Sequence, residues 1–268
     1  MGLVEPSVSI QSGEGRMKRP SLWFVVPAHG RLALTRICLR QLRRTIEDLE
    51  DAGVDASAVV IADDENLDSA LEFGFGTIRR NNLFLSRRFN DGIQLACDRS
   101  LNPRPVDYVV PLGSDDWIAA EVLLDLPRPN TVVGFKTISF VREDGRELTS
   151  RFLDYDGGAG IRIYPRAILK RLDYRPADED RVRGCDTSIW VNLQRTIRFR
   201  VEYPTIDTRQ IVDWKSTGSN RNAYSEVAGR WRGSAPADPF EALAGVFPAE
   251  ALEEMATHYG RDREAVVA

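Results

Sequence analysis

An α/β domain on a mostly parallel sheet, with helices on both faces, is the fold class this sequence predicts. Three observations carry it. Apolar runs appear without the polar alternation of a one-sided sheet, segments with a helical stripe separate them, and two of the runs end directly in paired aspartates. A strand buried on both faces reads as a continuous apolar run, as in parallel sheets.

The first run, Leu22-Trp23-Phe24-Val25-Val26, is closed by Pro27. Leu34, Cys38, Leu42, Ile46 and Leu49 then recur every three or four residues, the mark of a helix with one buried stripe, and Gly53 ends it. A second run, Ala58 to Ala62, leads straight into Asp63-Asp64. Phe84-Leu85 continues the pattern ahead of a helix near 91–100. The third run, Tyr108 to Leu112, ends in Gly113-Ser114-Asp115-Asp116. Strands are expected over 131–140 and 147–152, the second antiparallel, and helices over 161–172 and 187–193. Asp238-Pro239-Phe240-Glu241 has the cap, proline and acid of a helix start, and 247–259 reads as a further short helix. Residues 1–19 are polar and Gly- and Ser-rich and read as a flexible leader.

Composition narrows the function classes. Basic residues number 36 against 40 acidic, a net charge of −4, which argues against nucleic acid as a partner. Hydrophobic residues make up 43% and charged ones 28%, an ordinary globular balance. The three cysteines are widely spaced and odd in number, which suggests neither a zinc site nor a disulfide framework and fits a reducing, cytoplasmic setting. No stretch approaches the roughly 18 apolar residues of a membrane span, and the first twenty residues lack the run of a secretion signal.

Open parallel sheets bind ligands beyond the carboxyl ends of their strands. Asp63-Asp64 and Asp115-Asp116 both fall there. If their strands are neighbours, four carboxylates converge, and that much like charge calls for a cation, with oxygen ligands suiting Mg²⁺ or Mn²⁺. The plainer reading is that Asp116 caps a helix beginning at Trp117 and Asp64 stabilises a turn.

Four segments together resemble the family 2 glycosyltransferases with the GT-A fold: 24–31 with Pro27, His29 and Arg31; Val60 to Asp64; Arg88-Phe89-Asn90-Asp91-Gly92; and Val110 to Trp117. The match covers about 22–120. The resemblance implies a Rossmann-like GT-A domain over 20–212, with a nucleotide-sugar half (20–120) and an acceptor half (121–212). A donor-closing loop and short helical C-terminal extension would occupy 213–268. It implies a nucleotide-sugar site drawing on Pro27, His29, Arg31, Asp63, Asp64, Arg88, Asn90, Ser114, Asp115 and Lys215. Asp115 and Asp116 would bind Mn²⁺ or Mg²⁺, with Asp115 the best candidate. One departure is Gly113, where the family usually has an acid. Another is the lack of a late histidine for the metal, for which Asp213 is a substitute.

By the same resemblance Asp186, in Arg183-Gly184-Cys185-Asp186, is the catalytic base of an inverting transfer from a UDP-type sugar to a hydroxyl acceptor. An ordinary helix cap is its plainer reading, and Glu179 and Asp180 are the fallback. The glycine cluster 155–160 resembles the loop near the sugar and acceptor. Two other functions fit the residues: a sugar-phosphate nucleotidyltransferase, disfavoured by the single glycine in Ala28-His29-Gly30-Arg31, and a non-catalytic nucleotide- or carbohydrate-binding protein.

Overall fold

A computed structural model describes residues 19–81, 84–153, 160–215, 224 and 233–261. All but the last residue of the expected leader (1–19), all but the last residue of the glycine cluster (155–160), and residues 216–223 and 225–232 after Lys215 lie outside the described residues. The first buried run forms β1 (Ser21–Ala28), which carries Pro27 inside it rather than ending there. It is followed by α1 (Leu32–Asp51), β2 (Asp55–Ala62), a short α2 (Leu67–Glu72) and β3 (Gly76–Arg79). Next come α3 (Leu85–Cys97), β4 (Tyr108–Pro111), β5 (Asp116–Ile118), β6 (Thr131–Gly134), β7 (Thr137–Val141) and β8 (Leu148–Phe152). β9 (Arg162–Pro165) runs into a single helical turn, α4 (Arg166–Leu169). α5 (Cys185–Thr196), β10 (Arg200–Glu202), β11 (Ile211–Trp214), α6 (Pro239–Leu243) and α7 (Ala249–His258) follow among the described residues.

The main sheet has seven strands in the order β10-β6-β9-β4-β1-β2-β3. β4, β1, β2 and β3 pair in parallel, β10 is parallel to β6, and only β9 runs against its neighbours. Alternate residues of β1 explain why its sequence shows no alternation. Leu22, Phe24, Val26 and Ala28 pack with Leu39, Leu42, Ile46 and Leu49 of α1, whereas Val25 joins Ile93 and Ala96 of α3 on the opposite face. The mostly parallel α/β architecture with helices at the C-terminus is thus as expected.

A second sheet, β5-β11-β7-β8, was not anticipated as a unit. β11 pairs antiparallel with β5 and parallel with β7, and β8 lies antiparallel to β7 as expected. A third apolar cluster backs it: Trp117, Val212 and Trp214 meet Leu34, Ile37 and Cys38 of α1 and Phe240, Leu243, Leu252 and Met255 of the last two helices. α1 therefore buries two sides, one against each sheet. Asp238 caps α6 as its sequence predicts, accepting from the amides of Phe240 and Glu241.

Several boundaries differ from expectation. Phe84-Leu85 opens α3 instead of forming a strand, and the third parallel strand is the shorter Gly76–Arg79. Asp116 begins a strand, so it caps no helix. The segment 161–172 was expected to be helical. Its first half is β9, because Ile163 and Tyr164 face opposite clusters and the chain pairs between β4 and β6. Residue 213, expected to start a loop, lies inside β11. Among the described residues no helix is long and apolar enough to cross a membrane.

Gly92 shows how closely α3 lies on the sheet. A Cβ there would stand 2.4 Å from Val25 Cγ1 and 2.6 Å from Ile61 Cδ1, both in the interior. Gly92→Ala should therefore destabilise the fold by about 1–3 kcal/mol despite the better helix propensity of alanine. A urea titration should show a lower midpoint with an unchanged slope.

Candidate active site

Ala28 and Ala62 are paired, so the segments after β1 and β2 leave the sheet side by side. Asp63 ties them together. Its Oδ2 accepts from the Gly30 amide at 3.0 Å and from His29 Nδ1 at 2.6 Å. Its Oδ1 accepts from the amide and side chain of Asn66 at 3.1 and 2.8 Å. Burial pushes the carboxyl up, but these donors outweigh it and the group lies below its ordinary range. Gly30 and Arg31 both adopt left-handed backbone, which glycine takes freely and arginine rarely. This turn swings the Arg31 side chain across β1 toward the end of β4.

There the guanidinium donates to Asp115 Oδ2 at 2.5 Å and to Ser114 Oγ at 3.2 Å. Asp116 folds back, accepting from the Gly113 amide at 2.8 Å. β5 and β11 pair Asp116 directly with Asp213, and the Trp214 amide donates to the Asp115 carbonyl. As a result Asp115, Asp116 and Asp213 offer carboxylate oxygens all within 4.8 Å of one another. Lys215, only 4% exposed, donates to Asp213 Oδ2 at 2.5 Å, while Asp213 Oδ1 is buried with no partner.

The electrostatics follow from three acids facing two cations. Burial pushes Asp116 well up, and Asp213 and Asp115 push it further. Burial also raises Asp213, with Lys215 opposing and Asp115 adding to the rise. For Lys215 burial pulls the ammonium down, yet Asp213 and Asp115 outweigh it and hold the charge in place. The unpartnered Asp213 oxygen and the hard-oxygen donor set fit a small divalent cation. Gly113 fits as well, because a Cβ there would meet Asp116 Oδ2 at 2.5 Å and Asp115 Oδ1 at 2.9 Å.

Asp186 comes to the same rim by another route. β9 is antiparallel, so Arg162 at its start lies level with Gly134 at the end of β6. Arg162 is buried, stacks over Trp190 and donates to the Asp186 carbonyl at 3.2 Å. The cap of α5 is Gly184, so Asp186 is not the cap, and its carboxylate has no hydrogen-bond partner among the described residues. Gly160 faces it closely enough that a Cβ would sit 3.4 Å from Asp186 Oδ2.

Other expected residues lie elsewhere. Asp64 is exposed and pairs with Arg79. Pro27 is buried in β1. Asn90 is wholly buried and latches the backbone of Ala177 with both ends of its amide. Arg88 donates to the Ala28 carbonyl beneath the β1 turn. Glu179 and Asp180 are engaged with Arg175 and Arg87 at the surface. Sequence reasoning missed that Arg31 and Lys215 are counter-ions of the acidic group, because both contacts depend on pairing between distant strands.

No protein-family model matches this chain, and no curated protein matches it. Solved structures that align with it include glucosyl-3-phosphoglycerate synthase from Mycobacterium tuberculosis in complex with Mn²⁺, UDP-glucose and glycerol 3-phosphate. That alignment has 14% identity, 91% of this chain, 81% of the other and a TM-score of 0.45. A Drosophila galactosyltransferase with manganese, UDP-Gal and xylobiose aligns at 16% identity, over 71% of this chain and 68% of the other, with a TM-score of 0.43. The 4-diphosphocytidyl-2C-methyl-D-erythritol synthase of Anaerococcus prevotii aligns at 11%, over 70% and 90%, with a TM-score of 0.44. These superpositions are partial, and neither the fold nor the chemistry described above rests on them.

The acid cluster predicts two opposite pH effects. Asp116 holds its proton longer in the folded chain, so stability falls as pH rises above about 4, the usual carboxylate range. Asp63 does the reverse: its contribution is present above that range and is lost as pH falls through its lowered value. Asp116→Asn should raise the stability of the metal-free protein at neutral pH, because a neutral amide escapes the repulsion of Asp213 and Asp115. Calorimetry across pH 4–8 checks this. A lower Tm for the variant at neutral pH would show that the carboxylate is better compensated than its surroundings imply.

Proposed function

We propose that this protein is a glycosyltransferase of the GT-A, family 2-like kind. It would move a hexosyl group from a nucleoside diphosphate sugar, of the UDP type, to a hydroxyl acceptor. The observation that carries the reading is the gathering of Asp115, Asp116 and Asp213 within 4.8 Å at the rim of a parallel sheet. A divalent cation, Mn²⁺ or Mg²⁺, held by these carboxylates would neutralise the diphosphate as it departs.

The chain's own residues supply the rest. Asp63, its carboxylate taken up by four donors, would hold the His29-Gly30 turn that borders the nucleobase. Ser114 and Arg31 would steady the donor beside Asp115. Lys215, released from Asp213 when a cation takes that carboxylate, would turn its charge to the diphosphate. Asp186 would take the acceptor's proton while the acceptor oxygen bonds to the anomeric carbon and the bond to the diphosphate oxygen breaks, inverting that carbon. The Asp186 carboxylate, beside Gly160 and without a hydrogen-bond partner among the described residues, supports this role. A sugar-phosphate nucleotidyltransferase also fits the fold; the single glycine of residues 28–31, where a triphosphate calls for a glycine-rich turn, counts against it.

Single-turnover assays with UDP-sugars and Mn²⁺ test the scheme. Asp115→Ala should abolish the metal-dependent gain in UDP affinity. Asp186→Asn should leave donor affinity intact and lower turnover about 10²–10⁴-fold, the range for losing a general base. If neither Mn²⁺ nor Mg²⁺ changes the affinity for UDP, the proposal fails. UDP binding with no turnover toward any acceptor would point to a binding protein.

A further inference from the structure

A second concentration of charge lies across the β1 tip from the carboxylates. An open cleft of about 470 Å³ is bounded by the first turn of α3 and by the segment carrying Arg175 and Glu179. Arg80, Phe84, Arg87, Arg88 and Arg175 line it. Arg80 donates its amide to the Ala62 carbonyl at the end of β2, and Arg88 reaches the Ala28 carbonyl at the end of β1. With strands about 4.8 Å apart, the β2 tip lies about 10 Å from that of β4. The cleft therefore opens on the same rim as the acidic group, and on its far side.

The four arginines are not equivalent. Arg80 pairs with Asp91, Arg87 with Asp180, and Arg175 with Asp91 and Glu179. Arg88 has no carboxylate partner among the described residues. It is 3% exposed, makes one hydrogen bond, to the Ala28 carbonyl, and its Nε is sealed from solvent without a partner. Burial lowers this guanidinium to about 10, with the field of Asp63 only partly opposing. Buried charges are ordinarily paired, so an unpaired one beside an open cleft marks a place for an anion. The helix adds to this, since α3 has no acid in its first turn and no side-chain cap. Helix N-termini of this length favour phosphate.

We propose that this cleft is a second anion subsite, which receives a phosphate monoester group of the acceptor and pairs it with Arg88. The assignment to the acceptor rests on the transferase reading. The donor diphosphate would be held at the carboxylates and Lys215, leaving the cleft free. Its far wall is stitched to α3 through Ser86 and Arg181, four residues before Cys185 and the start of the helix that carries Asp186. A phosphate anchored beside Arg88 would leave the acceptor's hydroxyl end to extend along the rim toward Asp186.

Calorimetric titration of the full chain with inorganic phosphate tests this, with and without saturating UDP and Mg²⁺. The expected result is saturable binding of one phosphate, weakened about tenfold or more by Arg88→Gln, as befits a charge-assisted pair. Saturating UDP and Mg²⁺ should leave the phosphate stoichiometry unchanged. Should Arg88→Gln fail to fold, the exposed Arg80→Gln carries the test with a smaller loss of phosphate affinity. Absence of saturable phosphate binding overturns the subsite. Displacement of phosphate by UDP overturns its assignment to the acceptor and gives the cleft to the donor. Phosphate binding that depends on Arg88 in a protein that does not bind UDP would support the subsite and take away the transferase reading alone.

Discussion

The rest of the site depends on holding three half-buried carboxylates within 4.8 Å of one another. Like charges at such distances cannot all stay ionised without compensation. The chain compensates with Arg31 from the first strand–helix turn and Lys215 from just beyond β11. Among the described residues two cations face three acids, and one oxygen of Asp213 is left without a partner. That bare oxygen separates a site that can attract a cation from a closed ion-pair network.

This constraint also explains the second sheet and the C-terminal helices. Asp213 and Lys215 reach the group only because β11 pairs with β5 and β7. β11 is in turn backed by an aromatic slab in which Trp117 and Trp214 meet edge-on at 4.9 Å and Tyr259 stacks beyond at 6.0 Å. The Tyr259 hydroxyl donates to the Lys215 carbonyl at 2.5 Å. Gly145 lets the β7–β8 turn lie against that tyrosine, since a Cβ there would come 2.4 Å from the ring. The last two described helices therefore support the strand that carries Asp213 and leads into Lys215, and loosening them should be felt at the acids.

The strands that read clearly in the sequence are those with one physical meaning. Runs such as Ala58–Ala62 are too apolar for any place but a sheet covered on both sides, and the acids after them had to lie at its rim. What stayed hidden depended on distant pairing. Nothing local to Asp213 says that it faces Asp116, and nothing local to Arg31 says that its partner is Asp115. The segment 161–172 misled because apolar residues spaced for a short strand and a helical turn also fit one longer helix. Asp116 before Trp117 looks like a cap, yet its partner is the amide of Gly113.

Gly113 shows how a departure from a family pattern is built into the geometry. A side chain at this position would collide with the carboxylates of Asp116 and Asp115, so an acid there and the present arrangement exclude each other. The third carboxylate comes instead from β11, on the opposite side of the group. A sorting of the aspartates follows from their partners. Asp63 is met by four donors and serves first to tie two loops, whereas among the described residues Asp213 keeps a bare oxygen and the Asp186 carboxylate has no partner. Acids fully satisfied by the protein hold its shape. Those left unsatisfied at the rim are the ones with binding capacity to spare for a cation or a proton.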